Sequence, residues 1–198
     1  MKWRVYVMTA TVLLLWPWHA EAHLVSTGLG PVYDGIGHLL LTPEDLVPIF
    51  ALALYGGLLG SAAARRTLFL LPASWIAGGI IGLNSSWAPQ PPIQSIWFLI
   101  PGILVASDLR LRPRLVAALA VAMGLLQGFF NGAAVKDVRS GALELLGVAV
   151  TIFVLVALVE GFVVSLKRPW TRIVVRVAGS WIAAMGLLLL GWTLRGRL

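Results

Sequence analysis

The chain has 198 residues, 59% of them hydrophobic and only 12% charged, with a mean hydropathy of +0.91. A soluble domain carries about 25% charged residues, so this composition excludes an ordinary globular domain and a disordered chain alike and leaves an integral membrane protein. Cysteine is absent, which excludes disulfide scaffolds, zinc ribbons, iron–sulfur clusters and thiol catalysis, and the net charge of +7 lies in short basic clusters between apolar runs, where it reads as a topology signal and not as a nucleic-acid surface.

Residues 1–22 have the form of a secretory signal. Lys2 and Arg4 precede an apolar run, and His19-Ala20-Glu21-Ala22 gives an A-x-A cleavage pattern. The apolar run is shorter than the ~20 residues a span needs, which favours cleavage over an uncleaved first helix. Cleavage after Ala22 is expected to leave His23 as the mature amino terminus. Residues 23–198 then form a single membrane domain, and 23–44 are its exported N-terminal segment.

Six apolar runs follow, at about 45–63, 67–84, 93–107, 115–135, 142–166 and 173–194. The third is short, and Pro101 is expected to kink or break it. The runs lack the alternation of barrel strands. Every span must satisfy its own backbone in lipid, so the predicted fold is all-α: a polytopic bundle of about six transmembrane helices after a cleaved signal. Arg65, Arg66, Arg110, Arg112, Arg114, Lys167, Arg168 and Arg172 fall in alternate loops, which are predicted to be cytoplasmic. The protein is thus expected in the bacterial inner membrane, multi-pass, with its mature amino terminus periplasmic or extracellular. Gly56 and Gly60, Gly78 and Gly82, and Gly124, Gly128 and Gly132 are spaced one turn apart, as residues that let helix backbones approach are.

Polar side chains in such a chain are informative. The segment from His23 to Asp45 holds His23, Asp34, His38, Glu44 and Asp45, and so both histidines outside the leader. Imidazoles and carboxylates together suit a divalent transition metal. The α-amine and imidazole of a mature His23, with His38, would make a copper-favouring histidine brace. Thr42-Pro43-Glu44-Asp45 also has the pattern of a helix start, with Thr as N-cap, Pro at the first position and acids in the first turn, which accounts for both acids without a metal. In the fourth run Gln127 and Asn131 share a helix face beside the glycine stripe; they either line a polar path or hydrogen-bond between helices. In the fifth run Glu144 stands near the outer end. Glu160 lies about two turns from Lys167 and is either a proton or cation relay, or an acid that snorkels to the interface or pairs with Arg176. No phosphate-binding glycine loop, HExxH helix or GxSxG elbow is present, and the chain is not read as an enzyme.

Residues 35–46, Gly-Ile-Gly-His-Leu-Leu-Leu-Thr-Pro-Glu-Asp-Leu, resemble the stretch G-I-x-H-I-L-x-G-x-D-H-L of the HupE/UreJ membrane proteins. His38 takes the first histidine position, Glu44 stands where that family has Asp, and Asp45 where it has the second His. Residues 126–133, Leu-Gln-Gly-Phe-Phe-Asn-Gly-Ala, are similar to the family's F-H-G-x-A-H-G, with Gln127 and Asn131 in the two histidine positions. The resemblance implies a nickel permease or a metal-handling accessory of hydrogenase or urease systems. The expected activity is transition-metal cation binding and transport across the inner membrane, nickel foremost, with copper or cobalt as alternatives. The rival expectation is a non-transporting accessory that holds a metal or scaffolds a metalloenzyme complex. On either view the metal site draws on His38, His23, Asp34, Glu44 and Asp45, and a transport path on Gln127, Asn131 and Glu144. The implied partners are the lipid bilayer, the metal ion and a metalloenzyme or its maturation proteins, with no nucleic acid.

Overall fold

A computed structural model describes residues 27–85, 92–136 and 140–195. The signal sequence, its cleavage point and His23 lie outside the described residues. Among these residues seven helices run in order: α1 (Pro31–Leu41), α2 (Pro43–Leu59), α3 (Ser61–Leu83), α4 (Pro92–Ser107), α5 (Pro113–Ala134), α6 (Gly141–Ser165) and α7 (Pro169–Arg195). Among the described residues there is no strand.

Prolines and glycines set the boundaries. Pro31, Pro43 and Pro113 each open a helix, where the missing N–H costs nothing because that donor has no partner within the helix. Gly60, with φ 97°, ends α2 and leads at once into α3, a conformation that a residue with a Cβ adopts only under strain. Prolines within helices do not break them: α2 runs through Pro48, α3 through Pro72 and α4 through Pro101. Pro101, expected to kink or break its helix, does not break it.

Helices α2 to α7 correspond to the six apolar runs. Four of them, α3, α5, α6 and α7, are long and apolar enough to cross a membrane alone. The first run behaves differently from expectation. It stops at Leu59, and α2 reaches a span's length and hydropathy only when joined to α1, across a bend of 76° at Thr42. Counting that bent pair as one span gives five, and α4 is a shorter apolar helix. The chain is a multi-pass membrane protein. Its outer surface bears Phe153, Leu158, Phe162, Trp181, Leu188 and Trp192, exposed side chains of the kind that lipid covers.

Helix α2 is the hub. Eleven of its 17 residues are buried, and it packs on α3, α4 and α6. By contrast α7, with 27 residues, buries only Val175, Gly179, Ile182 and Gly186, a single stripe laid on α4. Lipid offers no hydrophobic drive between helices, so close backbone contact has to supply the association. It does so between α3 and α5. A Cβ on Gly78, Gly82, Gly128 or Gly132 would collide with a backbone carbonyl of the facing helix: Leu125, Phe129, Trp75 and Gly79 respectively. The predicted stripes of span two and span four are thus one interface. Gly56 and Gly60 are not such a stripe. Gly56 makes room for the Glu160 carboxyl, and Gly60 is the α2 terminus.

The apolar core is continuous around α2. Leu39, Leu52, Leu71, Trp75, Met123 and Ile152 lie in one cluster, and Tyr55, Phe98, Val116 and Ile182 in a second. The helices alternate in direction, so residues 43, 83, 134 and 141 gather at one end of the bundle. Residues 59, 61, 107, 113, 165 and 169 gather at the other, which carries Arg65, Arg66, Arg110, Arg112, Arg114, Lys167, Arg168 and Arg172. That basic end is tied together by Arg172, which pairs with Asp108 at 2.8 Å, and by the Tyr55 hydroxyl, which donates to the Leu109 carbonyl at 2.6 Å.

Candidate metal-binding site at the start of helix α2

Thr42 occupies the N-cap position of α2 and Pro43 the first turn, as the sequence pattern predicts. The Thr42 hydroxyl makes no capping hydrogen bond, and the two acids after it part company. Glu44 is exposed, whereas Asp45 is 6% exposed. The bend at Thr42 turns α2 inward, so the second acid faces the bundle interior.

Two amides from α5 meet it there. The side-chain nitrogen of Asn131 donates to Asp45 Oδ2 at 2.8 Å, and that of Gln127 donates to Oδ1 at 3.2 Å. One amide thus serves each carboxylate oxygen. The spacing of Gln127 and Asn131 by one helical turn makes this possible. The glycine interface with α3, one residue further along α5, fixes the rotation of α5 that aims them at α2. Both amides are buried, and their oxygens, Gln127 Oε1 and Asn131 Oδ1, have no hydrogen-bond partner among protein atoms. A buried polar atom without a partner is costly, and it marks a place for water or an ion.

His38 comes from α1. Its Nε2 stands 3.9 Å from Asp45 Oδ2. That is too long for a hydrogen bond. It lies within the limit of about 4.2 Å for two atoms each about 2.1 Å from one metal, and is wider than the ~3.4 Å of a tetrahedral pair, so the two side chains would close slightly on an ion. His38, Asn131 and Glu144 also line one small cavity with Gly35, Val135, Leu145 and Val148, of about 10 Å³, room for a single water-sized occupant. Gly35 brings α1 against α6 here: a Cβ on it would strike the Glu144 carbonyl, as one on Gly147 would strike that of Val32.

The structure therefore brings His38, Asp45, Gln127, Asn131 and Glu144 to one end of the bundle. Glu44 is exposed beside Asp45, and Asp34 stands near enough to Glu144 for its charge to act there. Asp34 accepts hydrogen bonds from the Thr27 hydroxyl, at 2.7 Å, and from the Thr27 amide, closing the turn before α1. Among the described residues no three His, Asp or Glu side chains converge closely enough to hold a metal by themselves. What converges is one imidazole, one carboxylate and two side-chain amides, whose nitrogens face the carboxylate. Sequence reading placed Asp45 and the two amides in separate regions, 82 and 86 residues apart. The available signal was the demand of two in-register amides for a buried partner at their own end of the bundle.

Glu160 lies near the opposite end of α6, 3% exposed. It does not meet Arg176, which donates from Nε to the Ala106 carbonyl at 2.9 Å. It faces Thr67 of α3 and Gly56 of α2.

Residues 11–189 match the family model HupE / UreJ protein, and the chain belongs to that family. Its members are permease or accessory proteins associated with nickel or cobalt. No curated protein and no solved structure matches the chain significantly.

Proposed function

We propose that this member of the HupE / UreJ family binds a divalent transition-metal cation at the start of α2 and moves it across the bacterial inner membrane. Nickel is the first choice of cargo, with cobalt and copper next. His38 and Asp45 are the paired ligands. Asn131 Oδ1 and Gln127 Oε1 complete the shell, and Glu144 receives or releases the ion at the mouth. The observation that carries this reading is the 3.9 Å separation of His38 Nε2 and Asp45 Oδ2 beside two orphaned amide oxygens. A shell of one nitrogen and several oxygens holds a first-row cation more weakly than an imidazole cage does. Weak holding suits a site that must let its ion go. The basic end of the bundle is the cytoplasmic one on this reading, so the site opens to the periplasm, where a cleaved leader would leave His23 nearby.

In cells, His38→Ala is expected to abolish nickel accumulation, measured by elemental analysis, while the protein still inserts in the membrane. Accumulation equal to that of the unaltered protein would remove the proposal.

The accessory reading also has an observation in its favour. Leu52, Trp75, Met123 and Ile152 close the core below Asp45, and the buried Ser74 hydroxyl at that layer is spent on the Leu70 and Leu71 carbonyls of its own helix. Proteoliposomes separate the two readings. Nickel bound to the protein with no flux into the lumen identifies a holder, and flux identifies a carrier.

A further inference from the structure

At the basic end, α3 and α6 part to form a cleft of about 220 Å³, lined by Ser61, Ala64, Arg65, Leu68, Ala157, Glu160, Gly161 and Val164. Ser61, Arg65, Gly161 and Val164 are exposed at its mouth, and Glu160 is buried at its floor. The Glu160 carboxyl turns toward α2 and occupies the space that a Cβ on Gly56 would fill. The Thr67 hydroxyl lies alongside the carboxyl and donates to the Ala63 carbonyl of its own helix at 3.3 Å. Oε1 has no hydrogen-bond partner.

The charged surroundings are sparse. From α3 the carboxyl faces Thr67, and Arg65 stands at the exposed mouth. From α2 it faces Gly56 and Gly57, which bring no charge. Elsewhere at this end Asp108 and Arg172 are engaged with each other. Among the described residues no ion pair holds Glu160 in place. A buried carboxylate without a counter-charge is expensive and is retained where it binds a cation. The choice of cation follows from the donors. One carboxyl and one hydroxyl are too few to replace the hydration shell of a divalent metal, and a guanidinium at the mouth opposes its approach. A proton needs one oxygen and no shell.

We propose that Glu160 is a proton-exchange site. Its carboxyl takes a proton from water in this cleft and returns it to the same water, at the end of the bundle that carries Arg65. The site lies about 17 Å from Asp45, eleven residues along α2 at 1.5 Å each, with the apolar layer of Leu52, Leu71 and Ile152 between them. A cation site at one end and a proton site at the other are the two ligands that an exchange cycle requires. The assignment goes beyond the metal reading, and its test needs no metal, so either can fail without the other.

Dicyclohexylcarbodiimide enters apolar clefts and adds to a carboxyl only in its protonated form. The purified full-length protein in liposomes is treated with it across a pH series, and adducts are located by peptide mass mapping. The expected result is an adduct on Glu160 whose yield falls severalfold from mildly acidic to alkaline buffer. Glu160→Gln is expected to lose it. Should that variant fail to insert, the pH series on the unaltered protein decides the matter by itself. Absence of an adduct on Glu160 throughout the series overturns the proposal. So does an adduct whose yield does not change with pH.

Discussion

The two ends of helix α2 each bury an acid, and they solve the problem of burying it in different ways. At the start, Asp45 receives one amide nitrogen on each oxygen and has an imidazole within 4 Å. At the finish, the acid belongs to α6, and Glu160 has a hydroxyl, a glycine and a cleft. The first arrangement fixes a carboxylate in position and offers surplus oxygens around it. The second leaves a carboxyl free to change its state. Geometry of the first kind suits holding something specific, and geometry of the second kind suits exchanging something small.

That contrast can be broken most directly by removing the fixed acid. Asp45→Ala leaves two buried amide nitrogens without acceptors, at about 1–3 kcal/mol each. A large drop in the thermal midpoint of the detergent-purified protein is expected, well beyond that of Glu160→Gln, whose carboxyl strands no amide. Equal midpoints for the two variants would mean that both acids are held alike. A finer test compares the two amides. Asn131 donates over 2.8 Å and Gln127 over 3.2 Å, so Asn131→Ala should lower nickel affinity and stability more than Gln127→Ala, as isothermal titration and thermal melts would show. The reverse order would place the weight of the site on Gln127. The smallest effect is expected at Asp34. Its hydrogen bonds close an exposed turn outside the bundle, and Asp34→Ala should leave both nickel binding and the thermal midpoint where they are. A loss of binding in that variant would extend the site to α1's first turn.

Much of the scaffold could be read from the chain. Apolar run length marked α3, α5, α6 and α7, because a hydrocarbon slab imposes its thickness on sequence directly. The glycines of the second and fourth runs marked close packing, because only a missing side chain permits it. What escaped was local direction. Thr42-Pro43 announces a helix start in any context, but the 76° bend that accompanies it here depends on where α1 docks against α6, and nothing near Thr42 in sequence encodes that. The same gap concealed the role of Asp45. The cap pattern explains both acids equally, whereas the bend sends Glu44 to the surface and Asp45 inward. Gln127 and Asn131 were legible as a pair in need of a partner. The partner was not, since its identity depends on the rotation of α5 about its own axis. Glu160 was legible as an anomaly, and Arg176 was the wrong companion because its guanidinium reaches the end of α4 instead.

The corner at Thr42 makes the His38–Asp45 spacing a matter of leverage. His38 sits four residues before the corner, about 6 Å along α1 at 1.5 Å per residue, while Asp45 sits just beyond it on the hub helix. Tilting α1 by about 10° about that corner would carry the imidazole roughly 1 Å, enough to add a ligand to a bound ion or strip one away. The short arm that delivers the histidine could thus act as the latch of the site, and its seating on α6, glycine against carbonyl, as the catch.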